Sequence, residues 1–181
     1  MKTILIIVVL TAIGLVGFGI AYSMVTTGGS GDAAVSSIAG DSLTVTIAGE
    51  INRPGTFVLS SGATMLDLIT AASGTTSNAD ALAFNTDYVL ENKGSYYIAP
   101  LYDNSNTCSA SPITKTNINS DDAETLTAVA GFSKTVAKAI VSYRMTSTFR
   151  AIEEIKNVSG IGSATYIAVR DRITLRSGSA A

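Results

Sequence analysis

The pattern of apolar and polar positions divides the chain into an apolar run, a mixed region and a helical region. Residues 4–25 are apolar apart from small or weakly polar side chains, and they carry no charge. Residues 42–47 alternate between polar and apolar, and residues 56–59, 87–90 and 95–99 are further short runs between turn residues, a pattern typical of strands. Residues 63–72 place apolar side chains at helical spacing. The mixed region therefore predicts an α+β fold with a helix against one face of a sheet.

The helical region, residues 117–175, contains an internal repeat. The pattern E-x-L-x-x-V-x-G-F-S from Glu124 returns 29 residues later as E-x-I-x-x-V-x-G-I-G from Glu153. Each copy is typical of a short helix, a tight turn at a glycine and a second helix. The N–H groups at the start of a helix form an anion site. Two such starts on one unit suit a polymer with regularly spaced phosphates.

The charge distribution agrees with that interpretation although the net charge is only −2. Residues 117–181 carry eight Lys or Arg against six Asp or Glu, whereas residues 1–116 carry four against eight. The basic excess is therefore on the repeat, and a small excess predicts modest, strongly salt-sensitive binding to phosphates. The acidic residues at 121, 122 and 124 lie at the predicted start of the first helix, which indicates capping.

The composition excludes several kinds of active site. The chain has no histidine and one cysteine, Cys108. A Ser-His-Asp or Cys-His catalytic arrangement, a Cys/His zinc site and an intrachain disulfide are therefore ruled out. We expect no catalytic residue, no metal site and no cofactor. Cys108 is either a free thiol or an intermolecular link.

The apolar run predicts a membrane anchor over residues 1–25, because crossing a bilayer takes about 20 apolar residues. Lys2 precedes the run and Asp32 is the first charge after it, which favours a cytoplasmic N-terminus and an exported body. A cleaved signal peptide is the alternative, although its apolar core is shorter and no Ala-x-Ala site follows here. Residues 26–40, rich in Gly, Ser, Thr and Ala, are predicted to be a linker.

The repeat also carries a resemblance to a known family. Residues 157–163, Asn-Val-Ser-Gly-Ile-Gly-Ser, resemble the hairpin of a helix-hairpin-helix motif, and residues 128–134 resemble its partner copy. With residues 118–120 and Phe149, the unit at 117–176 resembles the tandem helix-hairpin-helix domain of ComEA-type competence proteins. The resemblance implies a single-pass protein of the cell membrane. Its extracellular domains would bind double-stranded DNA during natural transformation and deliver it to an uptake channel.

The predicted DNA-binding site consists of backbone N–H groups in the two hairpins and the side chains beside them. Its residues are Gly131, Phe132, Ser133, Lys134, Lys138, Arg144, Gly160, Ile161, Gly162, Ser163, Thr165 and Arg170. Ser133 stands where the second copy has Gly162, so the first hairpin is expected to be distorted or to contribute less. Contacts of this kind read the phosphate backbone and predict little sequence preference. The alternative is that the glycine turns merely join helices.

Residues 41–101 resemble a second family, the SLBB domain, which is a β-grasp variant. The matching residues are Val-Thr-Ile-Ala-Gly-Glu at 45–50, Pro-Gly at 54–55, Ala-Ala-Ser-Gly at 71–74, Ala-Asp at 79–80, Asn85 and Tyr-Ile-Ala-Pro at 97–100. Ala-Ser-Gly at 72–74 departs from the usual Ala-Gly-Gly. The resemblance implies binding of soluble ligands or polysaccharide, or self-association through this domain. Residues 102–116, rich in Ser, Asn and Thr, are predicted to be an interdomain linker.

The sequence therefore predicts a multidomain protein with a transmembrane helix, an α+β β-grasp-like domain and an all-α tandem helix-hairpin-helix domain. The predicted function is sequence-independent binding of double-stranded DNA for uptake. An envelope or polysaccharide-associated assembly module that uses the SLBB-like domain is the alternative. A glycosylase or nuclease is disfavoured because the chain has no third domain to supply a catalytic pocket.

Overall fold

The computed structural model describes residues 41–104 and 111–178. The predicted anchor, the linker at 26–40 and Cys108 lie outside these residues. Among the helices in the described residues, none is long and apolar enough to cross a membrane. The strands are β1 Ser42–Gly49, β2 Gly55–Ser60, β3 Ser95–Ile98, β4 Tyr102–Asp103, β5 Ser111–Pro112, β6 Thr116–Asn117 and β7 Ile173–Thr174. The α-helices are α1 Met65–Ala71, α2 Ala123–Thr125, α3 Lys134–Arg144 and α4 Ser163–Val169.

The first half of the described chain, residues 41–104, is built on a three-stranded sheet in the order β2-β1-β3. The central strand β1 is antiparallel to β2 and parallel to β3. Its alternating pattern buries Leu43, Val45 and Ile47 on one face. Helix α1 contributes its own buried residues, Met65, Leu68 and Ile69, to the same core. This arrangement is the α+β layer that the sequence pattern predicts.

Two details of this half differ from the prediction. Helix α1 begins at Met65 rather than at residue 63, because Thr64 and Asp67 form a capping box in which each side chain bonds the other residue's backbone N–H. Residues 87–90 were predicted to be a strand, but only an isolated bridge joins Val89 to Thr64. Tyr88 and Leu90 are buried while Val89 is exposed. The alternation therefore records which side chains are buried and not whether a partner strand is present.

The second half, residues 111–178, folds around one hydrophobic core that includes both copies of the repeat. Helix α2 continues into a π-helical turn over Leu126–Ala130, and 3₁₀ turns cover Ile152–Asn157 and Arg170–Arg172. The parallel pairing of β6 with β7 joins the beginning of this half to its end. The buried apolar residues of this core are Ile118, Leu126, Ala130, Phe132, Ala137, Ile140, Phe149, Ile152, Ile155, Val158, Ile161, Tyr166, Val169, Ile173 and Leu175.

The two halves share an interface, and residues 41–181 form one compact unit. Lys115 Nζ lies 2.6 Å from Asp80 Oδ2, and both side chains are almost entirely buried. The backbone N–H of Leu175 donates to the carbonyl oxygen of Leu82 over 2.9 Å. Ala151, which belongs to the second half by sequence, is buried in the core of the first. The sheet-containing half and the helical half are therefore docked through specific contacts.

Substitutions at two glycines can test how closely β1 approaches β3. Gly49 and Gly62 both have left-handed backbones, with φ of 88° and 82°. A Cβ on Gly49 would overlap the carbonyl oxygen of Ile98 in β3, whereas a Cβ on Gly62 would meet open space. We expect Gly62→Ala to cost about 1 kcal/mol through its backbone alone, and Gly49→Ala to cost a further ~1–3 kcal/mol through the overlap. Equal losses in urea unfolding would contradict the packing described here.

Candidate nucleic-acid interface

The first hairpin is held in place by one buried residue between two exposed ones. Gly131 ends the π-helical turn in a left-handed conformation with φ of 82°, and its N–H donates to the carbonyl oxygen of Thr127 over 3.1 Å. Phe132 is buried in the core. Ser133 is exposed and extended, and its hydroxyl oxygen accepts the N–H of Val136 over 3.3 Å at the start of α3. The buried phenylalanine therefore leaves the backbone on both sides of it at the surface.

The second hairpin repeats this conformation. Gly160 is left-handed with φ of 92°, Ile161 is buried and Gly162 is exposed and extended. Ser133 and Gly162 share an extended backbone that any residue can adopt, so the serine in the first copy is accommodated without backbone strain. The copies differ in capping, because Gly162 provides no side-chain acceptor for the N–H groups that begin α4. The second helix start thus keeps more of its hydrogen-bonding capacity for an external anion.

The fold brings the two hairpins together. A Cβ placed on Gly160 would lie 3.2 Å from Cγ2 of Val136, so the second hairpin packs against the first turn of α3. Lys134 and Lys138 are exposed, one helical turn apart, on that same helix. Ser163 is exposed and Thr165 is half-buried in the first turn of α4. Backbone donors, hydroxyl groups and two cations are therefore gathered on neighbouring helix starts.

Arg144, which the sequence predicts as a DNA contact, has internal hydrogen bonds. Its guanidinium group donates to backbone carbonyl oxygens at distances from 2.6 to 3.2 Å; these belong to Ile118, Ser120 and Asp121. Arg144 thereby fastens the end of α3 to the segment before α2. This role depends on tertiary structure, so the repeat pattern could not reveal it.

Arg170 is also engaged within the protein. Its guanidinium carbon lies 3.7 Å from the ring centroid of Tyr97 in β3, a cation–π contact between the two halves. Its Nε is buried without a hydrogen-bond partner. The structure therefore leaves Lys134, Lys138 and Ser163 exposed at the helix starts that follow the hairpins, whereas Arg144 and Arg170 make contacts within the protein.

Two acidic residues of the helical half have pKa values shifted in opposite directions. Asp122 caps α2, and the N–H of Thr125 that it accepts over 2.7 Å lowers the pKa of its carboxyl group. Glu153, in the 3₁₀ turn before the second hairpin, is buried, and loss of solvation raises the pKa of its carboxyl group. Asp122 confirms the capping role inferred from the sequence, whereas the burial of Glu153 was not predicted.

A third lysine lies near the second hairpin and was not predicted from the sequence. Lys156 is exposed, and its Nζ lies 5.1 Å from the ring centroid of Tyr166 in α4. It follows Glu153 in the same 3₁₀ turn, and its charge opposes the rise in the pKa of that carboxyl group. The sequence feature that could have identified Lys156 is its position in the second copy of the repeat, between Glu153 and Gly160.

Comparison with known proteins confirms the domain composition. Residues 111–174 match the family model described as a helix-hairpin-helix motif, and residues 44–86 match the model of the SLBB domain. A Bacillus subtilis (strain 168) protein named ComE operon protein 1 is 26% identical over 146 residues, which cover 75% of this chain and 71% of that protein. The chain thus contains an SLBB domain followed by helix-hairpin-helix motifs. Its resemblance to ComEA-type competence proteins is confirmed.

The burial of Glu153 predicts a specific pH dependence of stability. Because its pKa is higher in the folded than in the unfolded state, Glu153 contributes stability at low pH that is lost as pH rises above its ordinary value near 4.5. The groups around it are Tyr97, Tyr166 and Lys156. We expect the unfolding free energy of the wild type, relative to Glu153→Gln, to decrease from pH 4 to 7. Parallel curves for the two proteins would show that Glu153 is not buried as described.

Proposed function

We propose that this protein binds double-stranded DNA through its phosphate backbone, without sequence specificity, as a receptor for DNA uptake. The observation that carries the proposal is the placement of the second hairpin against the first turn of α3, beside the exposed Lys134 and Lys138. Two helix starts with exposed backbone thereby adjoin a local cluster of positive charge. This combination is suited to a polyanion with repeated phosphates.

In the proposed complex, the N–H groups of Phe132 and Ser133 in the first hairpin, and of Gly160, Gly162 and Ser163 in the second, donate to phosphate oxygens. The N–H groups of Gly131 and Ile161 donate within the hairpins, to the carbonyl oxygens of Thr127 and Val158. Lys134 and Lys138 neutralise phosphates beside the first hairpin, and the hydroxyl groups of Ser163 and Thr165 donate at the second. Phe132 and Ile161 act from inside the core, where they hold the hairpin backbones in place. In this proposal, Arg144 and Arg170 hold the binding helices in position and do not contact DNA. Phosphate contacts carry no sequence information, so DNA of any sequence is accepted.

The cellular role completes the proposal. Residues 1–25 would anchor the chain in the cell membrane and residues 26–40 would hold residues 41–181 outside the cell, where an uptake channel receives the DNA. The matches to both domain families and to ComE operon protein 1 support this role. The protein would act by binding alone, with no catalytic step.

The direct test is a salt titration with residues 41–181, the compact unit described above. Its affinity for duplexes of several unrelated sequences is measured between about 50 and 300 mM salt. We expect similar affinities for all sequences and a linear fall of log K with log salt, with a slope near −0.9 for each phosphate neutralised. Absence of binding at low salt would contradict the proposal and favour the envelope-assembly alternative. A strong sequence preference would contradict the phosphate-only contact.

Lys134 and Lys138 provide a test of the cationic contribution. The double variant Lys134→Ala/Lys138→Ala should weaken binding to all sequences alike and flatten the salt slope by about 2, because two phosphate contacts are lost. The matched control is Arg53→Ala/Lys93→Ala, which removes the same charge from exposed positions in the sheet-containing half. If both double variants change the slope equally, net charge and not this surface governs binding.

Gly162 gives the sharpest test of the second hairpin. Its backbone is extended and a Cβ there would meet nothing within 4 Å, so substitution introduces neither strain nor overlap. Asp and Asn are both good N-caps, and either should leave stability unchanged or raise it slightly. Gly162→Asp should nevertheless reduce DNA affinity at least about tenfold, because its carboxylate repels a phosphate at the helix start.

The neutral variant Gly162→Asn is the control, with an expected loss of about threefold or less. Gly160 is less informative, because its left-handed φ and its approach to Val136 would add strain to any substitution. Equal affinities for Gly162→Asp and the wild type, with both proteins folded, would exclude the second hairpin from the interface.

A further inference from the structure

We infer that Tyr97, in the sheet-containing half, positions the second hairpin through Glu153, so that the SLBB domain is a structural part of the DNA-binding surface. The effect of Tyr97 and Glu153 on DNA binding rests on the proposed function. Their effect on the position of the second hairpin can be measured without DNA. It assigns to the SLBB domain a role that needs no ligand of its own.

One carboxylate oxygen connects both sides of the hairpin to the sheet. Glu153 Oε1 accepts the backbone N–H of Tyr97 in β3 over 2.8 Å and the hydroxyl group of Tyr166 over 3.0 Å. Glu153 lies before the second hairpin and Tyr166 lies after it, in α4. The two chain segments that flank residues 157–163 are therefore fixed to each other and to β3 at a single atom.

The side chain of Tyr97 adds contacts with the end of the same copy. The guanidinium carbon of Arg170 lies 3.7 Å from its ring centroid. Burial, followed by the influence of the Asp171 carboxylate, raises the pKa of the Tyr97 hydroxyl group to about 12. Tyr97 is a partly buried aromatic residue of the sheet-containing half that packs against the core of the helical half. The second copy is thus held by Tyr97 at its beginning and at its end.

The two copies differ at the corresponding glutamate. Glu124, at the equivalent position of the first copy, is exposed, whereas Glu153 is buried. A buried carboxylate is a costly way to stabilise a fold, and removing one partner leaves the others buried without hydrogen bonds. Its geometry fixes a particular arrangement of the three segments that it joins. That arrangement presents the second hairpin, whose helix start lacks a side-chain cap.

The test compares Glu153→Leu, which removes the acceptor, with Glu153→Gln, which keeps an oxygen acceptor at the same place. Amide hydrogen exchange is measured in residues 41–181 without DNA. We expect Glu153→Leu to increase exchange at least about tenfold at the hydrogen-bonded amides of Val158, Ile161 and Tyr166, and to leave that of Gly131 in the first hairpin unchanged. Glu153→Gln should stay close to the wild type. If Glu153→Leu does not fold, Tyr166→Phe removes one hydroxyl donor at nearly constant volume and should produce the same local change at about threefold.

DNA affinity provides the second readout. Glu153→Leu should weaken binding about tenfold and Glu153→Gln less than twofold. Combined with Gly162→Asp, Glu153→Leu should cause no further loss, because both variants act on the same hairpin. Additive losses, or unchanged exchange at the amides of Val158, Ile161 and Tyr166, would overturn the inference while the proposed function stands. If the wild type fails to bind DNA, the proposed function is wrong, and the exchange data alone decide whether Tyr97 and Glu153 position the hairpin.

Discussion

A single hydrophobic core, shared by both copies of the repeat, fixes the distance between the two hairpins. Phe132 and Ile161 occupy equivalent positions at the hairpin tips, and both are buried in this core. Moving either hairpin would expose apolar surface, at a cost of roughly 25 cal/mol for each Å². The close approach of Gly160 to Val136 adds a steric limit on the same distance. Because phosphates along DNA are regularly spaced, a fixed separation prepares both helix starts for one ligand before binding.

The repeat in the sequence was sufficient to predict the two hairpin turns in outline. The period of 29 residues identifies Gly131 and Gly160 as equivalent, and both adopt the left-handed turn that the pattern indicates. The alternation in β1 likewise predicts its buried face. The predicted phosphate contacts of Arg144 and Arg170 depend instead on where distant carbonyl groups and Tyr97 lie in the folded chain. Local patterns contain no information about those partners. From the sequence, a basic residue on a helix can therefore be either a phosphate contact or a contact within the protein.

The interface between the halves shows a related limit of sequence reasoning. It includes buried polar contacts, such as Lys115 with Asp80 and Glu153 with the backbone of Tyr97, besides apolar packing. Charged residues normally indicate surface, and the repeat pattern gives Glu124 and Glu153 the same role. Only the docking of the second copy against β3 makes them different. We therefore regard the SLBB domain and the helix-hairpin-helix domain as two parts of one DNA-binding unit.

The central claim is that both hairpins contact one DNA duplex through their backbone N–H groups. The most direct measurement is the change in amide ¹H–¹⁵N chemical shifts of residues 41–181 when a short duplex is added. The account predicts simultaneous changes at residues 131–134 and 160–163, with the outer strand β2 unaffected. Changes confined to one hairpin, or to the cleft between the halves lined by Leu101, Tyr102 and Arg176, would contradict it.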